Sequence, residues 1–197
     1  MYLAYLNPLH LKPHEMIIEE RVRQVEEEIR EKGFTFPIVV DGRTGLVIDG
    51  HHRREASLRL NLKVPSLIVN YFSEKIKLLR WIRVIKGLNG SETEKILRSL
   101  GKGKSSCIVI NGEIHYFGEG IDSLKEISLL EYRISELGGK VEKVPEDQFN
   151  FDEEIYIIPP KLTKEDVVGQ AIKGELFPPK TTRHKYDFTI PKLREIT

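Results

Sequence analysis

The stretch Leu46-Val47-Ile48-Asp49-Gly50-His51-His52-Arg53-Arg54-Glu55-Ala56 constrains this chain more than any other. Three apolar residues, two of them β-branched, run into Asp-Gly. Two histidines and two arginines then lead into apolar residues at helical spacing, a pattern that predicts strand, tight turn and helix. A helix N-terminus carries free backbone N–H groups and roughly half a positive charge, which suits a phosphate. Asp49, at the end of the strand, stands where a magnesium ligand is useful. The turn is therefore a candidate phosphate site.

A chain of 197 residues holds one good core, or a core with a smaller lobe. Its 31 basic and 30 acidic side chains leave a formal net charge of +1, so no global field draws it to nucleic acid or to an anionic membrane. Cys107 is the single cysteine, which excludes an intramolecular disulfide and a cysteine-rich metal site. Its setting, Cys107-Ile108-Val109-Ile110, is that of a buried strand. No apolar run approaches the roughly 20 residues that span a bilayer, and the N-terminus lacks signal-peptide features. The expected location is the cytoplasm.

A short strand is expected before Leu11, and Lys12-Pro13-His14-Glu15 is expected to open a helix carrying Val22, Val25 and Ile29 on one face, closed by Gly33. Strands follow at 36–40, 46–48 and 64–69, with a helix at 51–61 between the last two. Strands joined through a helix imply a crossover and a mixed sheet. Residues 76–85 alternate apolar with basic and are read as a strand, a helix being the competitor. Ser91-Glu92-Thr93-Glu94 has the spacing of a capping box at the start of a helix reaching Leu100. Gly101-Lys102-Gly103-Lys104-Ser105 superficially resembles a phosphate loop but lacks its full spacing, and a plain turn is expected. Asn111-Gly112 signals a hairpin. Residues 121–137 are expected to be helical, 142–154 an acidic connection, 155–158 a strand, and 163–174 a helix capped by Thr163 with Asp166.

Three separated clusters carry chemistry: Lys12 to Glu15, Asp49 to Arg53, and Lys180 to His184. Each has a bland explanation alone. Glu15 can be a helix-start carboxylate and His14 a surface residue. His51 and His52 can be metal ligands, but adjacent helical side chains point about 100° apart and no third ligand is evident. Lys180-Thr181-Thr182-Arg183-His184 offers hydroxyls, cations and backbone donors, a good anion cradle, against the alternative of a solvated tail.

Val47-Ile48-Asp49-Gly50-His51-His52-Arg53 with Ala56 and Val64-Pro65 is similar to the signature of the ParB/sulfiredoxin superfamily, whose members bind phosphates or nucleotides at this turn. Taken with Lys12-Pro13-His14-Glu15 and Phe177-Pro178-Pro179-Lys180-Thr181-Thr182-Arg183-His184, the chain resembles the archaeal free serine kinases, ADP-dependent enzymes that make O-phosphoserine for cysteine biosynthesis. The resemblance implies an α/β (α+β) fold with a ParB/sulfiredoxin-like mixed-sheet core over residues 1–88 and a smaller α/β lobe over 89–197. It implies Glu15 as catalytic base and Asp49 at the phosphates holding Mg²⁺. Gly50, His51, His52 and Arg53 would surround the transferred phosphoryl group, with His52 among the catalytic residues. Lys180, Thr181, Thr182, Arg183 and His184 would bind the serine carboxylate or phosphate oxygens.

The implied partners are L-serine and a nucleotide, with no nucleic acid and no membrane, in a monomer or small homo-oligomer. The chain departs from the pattern in a compact turn at Gly33 to Phe36 and a short link between Leu137 and Ile155, which leaves ADP against ATP, and serine against a related hydroxy amino acid, open. A ParB-like nucleotide- or DNA-binding regulatory module would want a helix-turn-helix and a basic face. A sulfiredoxin-like reductase would want a cysteine in the phosphate turn, where this chain has none.

Overall fold

The structure, a computed structural model, describes residues 1–193. It forms two compact units: residues 1–77, 163–179 and 184–193 make the first, and 78–162 with 180–183 the second. The expected division after residue 88 does not coincide with them, because the first unit is discontinuous in sequence. Residues 163–179 return to it, and Phe177 exchanges backbone hydrogen bonds with His14 and Met16.

The first unit starts with β1 (Tyr2–Leu6) and a 3-10 turn at Pro8–His10, followed by α1 (Glu19–Lys32), β2 (Ile38–Asp41), β3 (Val47–Asp49), α2 (His51–Arg59) and β4 (Val64–Val69). The strands form a sheet in the order β1-β4-β2-β3. β2 runs parallel to β4 and antiparallel to β3, and β1 is antiparallel to β4, so the sheet is mixed as the crossover implies. Leu11, Ile38, Val40, Val47, Val64 and Ile68 form its core. Val22, Val25 and Ile29 of α1 pack on Ala56 of α2, the i, i+3, i+7 stripe finding its partner. Gly33 ends α1, its N–H on the Ile29 carbonyl at 2.9 Å.

Lys12 to Glu15 does not open the helix, which begins only at Glu19. Proline suits a helix start, but it suits extended backbone equally, and here non-local hydrogen bonds decide. Lys12 N–H donates to the Gly45 carbonyl and Val47 N–H to the Lys12 carbonyl, both at 2.9 Å. Met16 N–H donates to the Phe177 carbonyl at 2.9 Å, and Phe177 N–H to the His14 carbonyl at 2.8 Å. The segment is thus held extended between the edge of β3 and the chain near Phe177.

β5 (Ile76–Lys86) begins in the first unit and continues through the second, a strand as expected. Then come α3 (Gly90–Arg98), β6 (Ser106–Ile110), β7 (Glu113–Phe117), α4 (Ser123–Glu136), β8 (Lys140–Pro145) and β9 (Ile155–Ile158). Ile85, Ile96, Ile108, Phe117, Ile127, Ile134 and Ile157 form the core of this unit. The cap of α3 is Asn89, not Ser91: Asn89 and Glu92 make the reciprocal bonds at 3.0 and 2.8 Å. β6 and β7 meet at Asn111-Gly112, both with positive φ (49° and 85°), the geometry of a tight hairpin.

The expected acidic connection overlaps β8, which pairs antiparallel with β5 over six positions. Its Val141 and Val144 supply too weak an alternation to mark a strand before the partner is known. The glycine-rich turn at 101–105 leads into β6 instead of a helix, so it is no phosphate loop. Gly103 lies against Gly118, where a Cβ would stand 2.0 Å from the carbonyl oxygen. Cys107, on β6, is a free thiol that burial pushes up from its usual ionisation range.

α5 (Lys164–Lys173) carries the expected Thr163–Asp166 capping box. β10 (Thr182–Tyr186) pairs with β5 where a cradle or tail was expected. Among the described residues no helix is long and apolar enough to cross a membrane.

Candidate phosphate-transfer site

The turn between β3 and α2 is built by Gly50. Its φ of +95° is left-handed, and a Cβ there would stand 2.5 Å from Cγ2 of Ile38 on β2, so only glycine fits. No side chain caps α2, which leaves the first-turn N–H groups available to an anion. The Asp49 side chain is half exposed, with Arg53 Nη2 at 3.8 Å from Oδ2. Arg53 Nε is buried with no hydrogen-bond partner. A buried orphan donor is costly until something accepts from it, and an anion at the turn would.

The two histidines hold the neighbouring segment. His51 Nε2 accepts the backbone N–H of His14 at 3.3 Å, and His52 Nε2 accepts that of Ile18 at 3.1 Å. A backbone N–H only donates, so both Nε2 atoms are bare and both Nδ1 atoms carry the proton in the neutral rings. His14 is fully buried, and its Nδ1–H donates to the Val47 carbonyl at 2.9 Å. It packs edge-on against the His51 ring at 4.5 Å. Burial lowers the pKa of His14 to about 4, outweighing the Val47 hydrogen bond. Burial also holds His51 well below its ordinary value, with His14, His184, His52 and Arg54 adding to the effect. His52 is lowered by burial, then by Arg21 and Arg53, with Asp49 opposing.

Glu15 follows His14 directly and is partly buried. His14, the residue before it, contacts His51 at the start of α2. His184 joins the same unit: its ring packs edge-on against His14 at 5.8 Å, and its Nε2 lies 2.9 Å from the Tyr71 hydroxyl. Burial, with His14 and Lys164, holds His184 well below its ordinary value. Glu15, Asp49, Gly50, His51, His52, Arg53 and His184 therefore all belong to the first unit.

Lys180, Thr181, Thr182 and Arg183 belong to the second unit, around Trp81. The Lys180 ammonium lies 5.1 Å and the Arg183 guanidinium 5.3 Å from the Trp81 ring centre. Trp81 Nε1–H donates to the Thr182 carbonyl at 2.9 Å, and buried Arg83 donates to that of Lys180 at 3.2 Å. The sequence does not single out Trp81 or Tyr71, and it marks Phe177 only as the first residue of the C-terminal stretch. Each is one aromatic among many, and only its contacts reveal a role. Trp81 carried a weak signal, as the sole tryptophan within a basic alternation.

Beside the turn lies a cleft of about 400 Å³, with Val25, Ile29, Phe34 and Phe36 on its apolar walls and Arg21 and Arg53 at its edge. Arg53 thus lines the cleft and also faces Asp49. Among the described residues no cluster of three or more histidine, cysteine, aspartate or glutamate side chains could hold a metal ion.

A mixed sheet whose strand-glycine-helix turn offers an uncapped helix start, an orphaned arginine donor and neutral histidines has the chemistry of a phosphate site on a ParB-like fold. No family model matches the chain. It is 35% identical to a ParB-like protein of Sulfolobus acidocaldarius over 98% of this chain and 96% of that one. It is 30% identical to an ATP-dependent L-serine kinase of Staphylothermus marinus, covering 88% of this chain and 81% of the relative. A free serine kinase solved in complex with ADP superposes with a TM-score of 0.77 at 24% identity, over 100% of this chain and 95% of that one. The chain belongs to the L-serine kinase family of phosphotransferases.

Proposed function

We propose that this protein is a cytoplasmic free L-serine kinase that transfers a phosphoryl group from ADP or ATP to the serine hydroxyl, giving O-phospho-L-serine. The observation that carries the reading is that His14, the residue before Glu15, donates its backbone N–H to His51 in the first turn of an uncapped helix, in a chain of the serine kinase family. Phosphoryl transfer needs mainly positioning and charge neutralisation. Glu15 accepts the proton of the serine hydroxyl as its oxygen attacks the terminal phosphorus. The bond to the bridging oxygen breaks, and AMP or ADP leaves with that electron pair. First-turn N–H groups of α2, the Nδ1–H groups of His51 and His52, and Arg53 receive the phosphoryl oxygens. The histidines act here as neutral donors, since their surroundings disfavour imidazolium.

The cleft beside Arg53 suits the nucleoside, with apolar walls for a base and a guanidinium shared with the phosphates. Asp49 fits Mg²⁺ as a single, half-exposed carboxylate, since this ion keeps several waters and draws other ligands from substrate phosphates. When bound it would neutralise phosphate charge. Thr181, Thr182, Arg183 and His184, with Lys180, are proposed to bind the serine carboxylate and phosphate oxygens. The named relatives include an ATP-dependent enzyme and one solved with ADP, and both nucleotides remain in the proposal.

The test incubates the purified protein with L-serine, Mg²⁺ and either ADP or ATP, and measures O-phosphoserine together with AMP or ADP. Formation of product with one nucleotide is the expected result. No product with either, across several hydroxy amino acids, refutes the kinase reading. Retained nucleotide binding in that case would favour a ParB-like regulatory module.

A further inference from the structure

Tyr71 lies outside every cluster that the sequence marks, yet it is fully buried and tied at both ends. Its backbone N–H donates to Oδ1 of buried Asp41 at 2.9 Å. The other oxygen of that carboxylate accepts from Thr44 N–H at 2.9 Å and Thr44 Oγ at 2.7 Å, so the anchor is itself fixed. The Tyr71 hydroxyl lies 2.9 Å from His184 Nε2, and the rings meet at 5.4 Å with an interplanar angle of 64°.

Distance alone permits two proton arrangements. If His184 Nε2–H donated to the phenol, the phenolic proton would have no acceptor among the described residues. An orphaned buried donor costs about 1–3 kcal/mol. If the phenol donates, both groups are satisfied. Burial also holds the phenol in its protonated form. His184 Nε2 is therefore the bare nitrogen, and Nδ1 carries the proton. His14, packed edge-on against the same ring, cannot substitute for the phenol at its Nδ1, which is committed to Val47.

We propose that Tyr71 is a positioning residue: its hydroxyl locks His184 as the neutral Nδ1–H tautomer, so that His184 meets a substrate oxygen only as a hydrogen-bond donor. With Nε2 occupied and Nδ1 protonated, His184 has no lone pair for the serine proton. That leaves the role of base to Glu15. The proposal rests on the kinase reading, in which His184 contacts the serine carboxylate or a phosphate oxygen.

Tyr71→Phe in the full chain removes the donor and keeps the ring. Two-dimensional ¹H–¹⁵N imidazole spectra, with His184 assigned by comparison with His184→Gln, report the tautomer without any catalysis. The expected wild-type spectrum shows protonated Nδ1 and bare Nε2, and Tyr71→Phe shifts population toward Nε2–H. The kcat/KM for serine is expected to fall about tenfold, the equivalent of one buried hydrogen bond, with KM for nucleotide unchanged. A wild-type Nε2–H signal overturns the proposal whatever the stability of the variant. So does an unchanged His184 spectrum in Tyr71→Phe, or a changed spectrum with unaltered kcat/KM for serine. Absence of serine phosphorylation by the wild-type protein would instead overturn the kinase reading, and with it the substrate half of this proposal, while the spectrum still decides the lock.

Discussion

Gly50→Ala is the sharpest perturbation of the turn between β3 and α2. The new Cβ would meet Ile38 Cγ2 at 2.5 Å, Ile38 Cβ at 2.9 Å and Arg53 Nη2 at 3.0 Å. The arginine end can swing aside. Ile38 cannot, since it is fully buried on β2 with hydrogen-bonded strands on both sides. Holding an L-residue at the left-handed φ of +95° costs roughly 1–2 kcal/mol, and overpacking a core residue typically adds about 1–3. The expected destabilisation is therefore about 2–5 kcal/mol, a large share of the 5–15 kcal/mol typical of a folded protein. Urea unfolding of Gly50→Ala against wild type measures it, with nucleotide affinity followed by calorimetry. Gly90→Ala is the control: it has open space around it and ordinary backbone, and is expected to be neutral or slightly stabilising. If Gly50→Ala unfolds within about 0.5 kcal/mol of wild type and binds nucleotide unchanged, the turn tolerates a side chain and the reasoning fails.

Glu15→Gln is expected to lower kcat by roughly 10²-fold or more while nucleotide affinity stays the same; an unchanged rate would remove Glu15 as the base. Asp41→Asn replaces one of two oxygens that accept from Thr44 and Tyr71, and is expected to cost about 1–3 kcal/mol in chemical denaturation. Full stability would show that these bonds are expendable. His14 titrates near 4 in the folded protein against 6.5 ordinarily, so the unfolded chain binds more protons between those values. Stability is thus expected to be retained above pH 6.5 and to fall as pH drops toward 4, with His14 contributing on the order of 3 kcal/mol across that window. His14→Asn should flatten this dependence, and a curve parallel to wild type would refute the assignment.

The strand-turn-helix around Asp49, the strands at 64–69 and 155–158, the hairpin at Asn111-Gly112 and the Thr163 cap were legible because each depends on neighbours within a few residues. Lys12 to Glu15 was misread as a helix start for the opposite reason: Gly45, Val47 and Phe177 hold it, and the last lies more than 160 residues away in the chain. β8 and β10 were missed because a short edge strand with weak alternation becomes one only when β5 lies beside it. His14 illustrates the limit in a single residue. Nothing local distinguishes a surface histidine from one wholly buried between β3 and α2.

The sequence by itself determined the strand-glycine-helix turn and the identity of its groups, since glycine geometry, helix start and charge are local properties of Asp49 to Arg53. Only the tertiary structure decided that His51 and His52 accept backbone N–H groups at Nε2, what holds the backbone beside Glu15 and that Tyr71 touches His184. Those features are set by hydrogen bonds between residues far apart in the chain, closed only once the core has formed.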